Sequence, residues 1–298
     1  MLLLAPLFCS CFTGVEGTSK INLSKKDIVA YAPTKEESFL EDIRPLTLGE
    51  WSFGKQFRVT DEKFRLVVEG AGASLLQVGD IVRFVGAQER KSAGGGVQTI
   101  ISFATNTGQA AYIVDRPLNN LRETFTSLEL PMLTDMDMVE DVRKKLKGMT
   151  VWTRTALWYD DSLQYQRHRK FVPVKIEEIE PGNSFFPVLV KFKDERGERG
   201  SLLMNIGNTG NESRTFGKLF SLSDPRFQYK NVRKENWETI CLEEVTPGMT
   251  KEECRLSKGN PKDIDTGHNY SSAMEIWYYP DGSYLRFIDG ILTGGKQM

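Results

Sequence analysis

Short apolar runs of about four to eight residues, broken by Gly, Asp and Asn, set the pattern of this chain from Gly54 onward, and a chain so divided folds as strands. FRVT, KFRLVVEG, DIVRFVGAQ, VQTIISFAT and QAAYIVD fill the stretch from Gly54 to about Asp115. Their alternation has the two-residue period of half-buried strands, and the breaks between them are tight turns. A second set, MTVWTRTALWY, KFVPVKIEEIE, FPVLVKFKD and RGSLLMNI, follows from about Gly148. At an offset of 89 residues Phe103 falls on Phe192, Gly108 on Gly197, and Ile113-Val114 on Leu202-Leu203. One small β unit therefore occurs twice in tandem.

Five or so short strands with Gly-rich corners resemble an SH3-like barrel, whose curling strands bury one face and limit exposed edges. Two such modules are expected, over residues 46–116 and 148–229. Between them, residues 117–147 read as a helical linker whose helix caps the second barrel. Met138, Val139, Val142 and Leu146 share one face of a helix from Asp135 to Leu146, which Gly148 ends. The last module, residues 230–298, changes character. Trp237, Ile240 and Cys241 have helical spacing, and Thr250-Lys251-Glu252-Glu253 is a capping box that opens a second helix. Strands over Glu275–Tyr279, Tyr284–Ile288 and Ile291–Leu292 follow, the first pair joined at Pro280-Asp281-Gly282, which makes the order ααβββ.

Gly248-Met249-Thr250-Lys251-Glu252-Glu253, Gly259-Asn260-Pro261, Trp277-Tyr278-Tyr279 and Phe287-Ile288-Asp289-Gly290 resemble the SmpA/OmlA (BamE-like) outer-membrane lipoprotein domain. The resemblance implies a protein-binding scaffold of the envelope with no catalytic residues. Lys258 stands where that family has leucine, so the second helix is expected to end early or to expose its last turn. The fold class is thus mainly β with an α+β C-terminal module: two SH3-like β-barrel modules and then an ααβββ domain.

The N-terminus points to the same compartment. MLLLAPLFCSCF is too short and too soon interrupted to span a bilayer, and Phe8-Cys9-Ser10-Cys11 is similar to a bacterial lipobox. On that reading residues 1–11 are a signal segment, Cys11 carries the lipid, and residues 12–45 are a tether. Phe12-Thr13-Gly14-Val15 holds no acidic residue of the kind that marks surface export, so the expected location is the periplasmic face of the outer membrane.

Charge narrows the function. Lys and Arg number 39 against 40 Asp and Glu, a net charge of -1 that offers no general attraction to nucleic acid. Two histidines and four cysteines argue against a zinc or His-triad enzyme, and no catalytic residue, metal or cofactor is expected. Arg167, Arg169 and Lys170, beside Tyr165 and Phe171, form the one candidate contact for an anionic surface. Once Cys11 is lipidated, Cys241 and Cys254 are the thiols left to pair in an oxidising compartment, as a candidate disulfide. The expected activity is that of a non-catalytic interaction or assembly factor, held to the membrane by its lipid and partnered by an envelope protein or cell-wall component. The alternative is a hydrolase of cell-wall or glycan substrate, using carboxylates such as Glu177, Glu178 and Glu180.

Overall fold

In the computed structural model the described residues are 34–92, 94–206, 213–269 and 272–296. Cys11, its signal segment and most of the expected tether lie outside them. Strand outweighs helix, 38% against 20%, and the sheets are antiparallel and curled, so the chain is mainly β. No helix among the described residues is long and apolar enough to cross a membrane.

The first sheet comprises β1 (Gln56–Val59), β2 (Val68–Glu69), β3 (Ile81–Lys91), β4 (Val97–Thr105), β5 (Gly108–Val114) and β6 (Leu133–Asp135). Their order is β2-β5-β4-β3-β1-β6. The second comprises β7 (Thr150–Thr153), β8 (Leu157–Tyr159), β9 (Tyr165–Arg167), β10 (Pro173–Pro181), β11 (Val188–Asp194), β12 (Arg199–Met204) and β13 (Phe220–Ser221). Its order is β13-β7-β10-β11-β12-β8-β9. With β9 set aside, the two orders coincide strand for strand. The register agrees as well. Phe84 pairs with Phe103 immediately before a bulge in β3, and Ile176 pairs with Phe192 immediately before a bulge in β10. Phe103 and Phe192 are both buried and hold the same place in their respective cores.

Residues 117–147 pack into both cores rather than only joining the modules. Helix α1 (Leu118–Thr124) and the segment after it send Leu121, Phe125, Leu130 and Leu133 into the first core. Helix α2 (Met136–Leu146) sends Met138, Val139, Val142 and Leu146 into the second. The expected tether needs a similar correction at its end. Leu40 and Ile43 belong to the second core, and Glu36 is buried, accepting from the Ser221 hydroxyl and the Leu222 N–H at 3.3 Å each. In residues 34–45 and 118–133 the apolar side chains are too few to show a period of their own, so only their packing reveals them.

Helices α3 (Trp237–Cys241) and α4 (Lys251–Lys258) precede a meander of four strands: β14 (Asp263–Asn269), β15 (Ser272–Tyr278), β16 (Tyr284–Ile288) and β17 (Ile291–Lys296). The expected order had three strands. β14, with the sequence DIDTGHN, holds a single apolar residue and has no strand pattern; its seven residues extend by pairing with β15. Helix α4 does not end early. The stem of Lys258 lies over the Tyr279 ring, with Nζ 5.4 Å from its centroid, and the ammonium reaches Asp281 at 3.8 Å. Trp277, Leu285, Phe287 and Leu292 close this third core together with Ile240, Cys241 and Cys254.

Candidate functional site

The short strand β6 is buried at all three of its positions, although it is the last strand of its sheet. A half-exposed edge would alternate. Leu133 enters the first core and Asp135 pairs with buried Lys55, and residues of the loop 182–187 and Asn205 of the second β unit share with β6 the lining of a cleft of about 200 Å³. Leu128, Leu130, Leu133 and Met138 give the cleft its apolar wall, and Thr134 and Asp135 its polar one.

Behind Asp135 lies a buried ammonium. Lys55 Nζ donates to Asp135 Oδ1 at 2.7 Å and to Asp137 Oδ2 at 2.5 Å, and the Asp137 N–H donates to the same Asp135 oxygen at 3.1 Å. The buried cation is thus matched by one buried carboxylate, Asp135, and reaches a second, Asp137, that is half-exposed to solvent. The other oxygen of Asp135, Oδ2, has no hydrogen-bond partner and is closed to water, and the Thr134 hydroxyl is in the same condition. Both residues are deeply buried, with exposures of 5% and 1%. Each such group costs about 1–3 kcal/mol when left unpaired, and the register places the two on opposite faces of β6, Thr134 beside Arg58 and Asp135 beside Phe57.

The opposite lip is built to hold an aromatic ring in the open. Asn183 Oδ1 accepts from the N–H groups of Phe185 and Phe186 at 3.0 and 2.8 Å, and the Gly182 N–H donates to the Pro187 carbonyl at 2.8 Å. No side chain fits at residue 182, where a Cβ would lie 2.1 Å from the Phe186 carbonyl oxygen. The turn leaves Phe185 75% exposed beside the cleft.

No known family model, curated protein or solved structure matches this chain.

The residues singled out in the sequence lie elsewhere. Arg167, Arg169 and Lys170, expected as an anionic-surface contact, are engaged with acidic and carbonyl groups of the same chain. Arg167 and Lys170 each lie 3.5 Å from a Glu243 oxygen, Arg169 donates to Glu238, and Lys170 Nζ donates to the Ser257 carbonyl. They join the second sheet to the C-terminal module. Burial pushes the Lys170 ammonium below the ordinary lysine range, and Glu243 opposes that shift only in part. His168, between them, stacks on Trp158 at 4.3 Å. Cys241 and Cys254 are separate free thiols, so the expected disulfide is not formed in this structure. Burial raises both, Cys254 to about 12, and both therefore behave as small apolar side chains.

The acidic residues line a wider hollow of about 470 Å³ on the second sheet. Glu177 faces Arg199 at 3.6 Å, Glu178 faces Lys147 at 2.5 Å, and Glu180 faces Lys191 at 2.6 Å. A general acid needs a carboxyl held above its ordinary range. Here the shifts run the other way: the Lys147 ammonium pulls Glu178 down, and the Gln164 N–H pulls Asp160 down. Among the described residues no three His, Cys, Asp or Glu side chains converge as metal ligands would.

Lys55, Thr134, Asp135 and Phe185 went unread in the sequence as a site. Thr134-Asp135 looks there like the start of helix α2, and Asp135 does accept from the Asp137 N–H as its cap. The one visible signal is a lysine inside the strand-like run GKQFRV, where an outward charge is the ordinary reading.

Proposed function

We propose that this chain is a non-catalytic lipoprotein of the bacterial cell envelope, anchored through Cys11 to the periplasmic face of the outer membrane. It acts as an interaction or assembly factor and binds its protein partner at the cleft between the two β units. The observation that carries this reading is a small recess walled by Leu128, Leu130, Leu133 and Met138 beside the exposed ring of Phe185. Exposed aromatic anchors beside small, well-packed recesses are where protein interfaces concentrate their energy.

The architecture supports the same reading. In each β unit the last strand lies beside the first, and the second-to-fourth long strands form a meander, which is the strand order of an SH3-like barrel. The two helices followed by a β meander in residues 230–298 support the SmpA/OmlA likeness, with one strand more than that pattern requires. The SmpA/OmlA family that the C-terminal module resembles binds other proteins at the envelope. The hydrolase alternative gains nothing from the acidic hollow, whose glutamates are each matched to a base.

A photoreactive phenylalanine analogue tests the cleft in intact cells. Placed at Phe185 it is expected to give one discrete adduct, and placed at Phe227, equally exposed at 75%, none. Equal labelling from both positions would remove the cleft from the proposal. Anchoring is tested separately: Cys11→Ser is expected to move the protein from the membrane pellet to the soluble periplasmic fraction.

A further inference from the structure

The C-terminal sheet has one covered face and one open one. Trp277, Leu285, Phe287 and Leu292 turn one face of β14–β17 onto helices α3 and α4. Strand alternation sends their neighbours to the opposite face. There Tyr278, Tyr284, Ile288 and Ile291 stand 37% to 42% exposed, with half-buried Met274 and Ile276 among them. We infer that this open face is a self-association surface, on which two copies of the chain pack sheet against sheet about a two-fold axis parallel to the strands.

The strand register sorts the open face into rows. Asp263 pairs with Tyr278, Tyr278 with Tyr284, and Tyr284 with Lys296, so the first row runs from an acid through two aromatic rings to a base. The second row, Asp265, Ile276, Arg286 and Gly294, has the same polarity. The third, Gly267, Met274, Ile288 and Ile291, is apolar. Glycine on each edge strand leaves space for its neighbour. Met274 Cε lies 3.6 Å from where a Cβ would stand on Gly267, and the Arg286 guanidinium lies 3.9 Å from the same point on Gly294, so that cation extends over β17. Carboxylates therefore gather along β14 and cations along β17.

Such a face complements itself in one orientation. A two-fold axis along the strands lays β14 of one copy over β17 of the other, and β15 over β16. Each row then meets itself reversed: Asp263 faces Lys296 of the second copy, Tyr278 faces Tyr284, and Met274 faces Ile288. Asp265 lies within reach of the second copy's Arg286. An axis across the strands would set β14 on β14, acid against acid. Within the chain the ion pairs of this module are Arg233–Glu253, Lys251–Glu275 and Lys258–Asp281, and among the described residues Asp263, Asp265, Arg286 and Lys296 make none. Four strands of five to seven residues, about 4.8 Å apart, make a face smaller than a standard interface, so the dimer is a weak one, of micromolar Kd.

The test uses the full chain carrying Cys11→Ser, so that no acyl chain drives association. Sedimentation velocity from about 1 to 200 μM is expected to show a monomer–dimer equilibrium that weakens as salt is raised. Asp265→Arg and Arg286→Glu alter exposed side chains, and each alone is expected to weaken the dimer at least tenfold, because like charges then meet twice across the axis. Mixed in equal amounts, the two variants are expected to recover to within about threefold of the original affinity. In that heterodimer the new arginine of one copy faces the new glutamate of the other, and the native pair is kept at the second contact. A folding defect in either variant cannot give this recovery. A chain that stays monomeric throughout the range, a dimer indifferent to both reversals, or a mixture no tighter than its components would each overturn the inference. In intact cells a photoreactive phenylalanine analogue at Tyr284 is expected to join two copies of the chain; labelling of a different protein alone would give the face another occupant and would overturn it as well.

Discussion

At the level of single side chains, Glu253 shows how burial and pairing compete. It is fully buried, and burial alone would push its carboxyl up. The opposing groups win. The Arg233 guanidinium at 3.1 Å, the N–H groups of Thr250 and Arg233 at 2.8 and 3.0 Å, and the Asn236 amide at 2.8 Å hold it down to about 2. Because the folded value lies below the unfolded one, the stabilisation is complete above the ordinary glutamate range near 4.5 and is lost as pH falls toward about 2. That difference corresponds to about 3 kcal/mol. Urea unfolding of Glu253→Gln is expected to show a loss of that order at pH 7 and a flatter pH profile between pH 5 and 2.5. An unchanged slope would mean that another carboxylate supplies the acid sensitivity. Lys55 makes the complementary case. Lys55→Met leaves Asp135 buried without its cation, and chemical denaturation should register a cost of about 3–5 kcal/mol. The capping box at Thr250 and Glu253 is legible in the sequence because its partners lie three residues apart. The Lys55–Asp135 pair spans 80 residues, and no local pattern announces it.

At the level of elements, apolar strands of several residues were readable, and strands that are polar or very short were not. β16 alternates, with Leu285 and Phe287 inward, and its sequence displays the period directly. β14 and β6 display nothing comparable, since the first is almost wholly polar and the second is buried at every position. Helix α2 was legible for the same reason as β16: its four buried residues all lie on one face. Close approach between elements is a different matter. Gly200 in β12 lies under Trp158 and Phe192, and a Cβ there would come within 2.8 Å of the indole and 3.1 Å of the phenyl ring. Gly200→Ala is therefore expected to destabilise the second core by about 1–3 kcal/mol, seen as a lower urea midpoint with an unchanged slope. A neutral result would show that Trp158 can retreat. In the sequence this glycine is one of 26, and only the ring packed above it distinguishes it.

For the whole molecule, the seam between the second sheet and the C-terminal module is the feature that modular reasoning would omit. Residues 230–298 read as a module in the sequence, yet Phe171 of the second β unit is part of their core and meets Trp237 edge-on at 6.3 Å. Its backbone has φ of +57°, a left-handed conformation that a phenylalanine adopts only when its surroundings impose it. The Phe171 N–H donates to the Thr153 carbonyl at 2.6 Å, and the Lys170 N–H to the Cys241 carbonyl at 2.9 Å. Phe171→Ala is expected to loosen this seam by about 3–5 kcal/mol. Peptide mapping should then find Cys241, buried in the native chain, alkylated faster under native conditions, and an unchanged rate would show that the salt bridges suffice. What the sequence alone determined is periodic and local: mainly β structure, a strand pattern recurring at an offset of 89 residues, a one-faced helix and a capped one. Those signals survive in one dimension because hydrogen-bonding geometry fixes the repeat of each element. The tertiary structure alone decided which element covers which core, where the basic loop finds its carboxylates, and that Thr134 and Asp135 share a cleft with Phe185. Burial and charge pairing depend on distance in space, and along the chain these partners stand tens of residues apart.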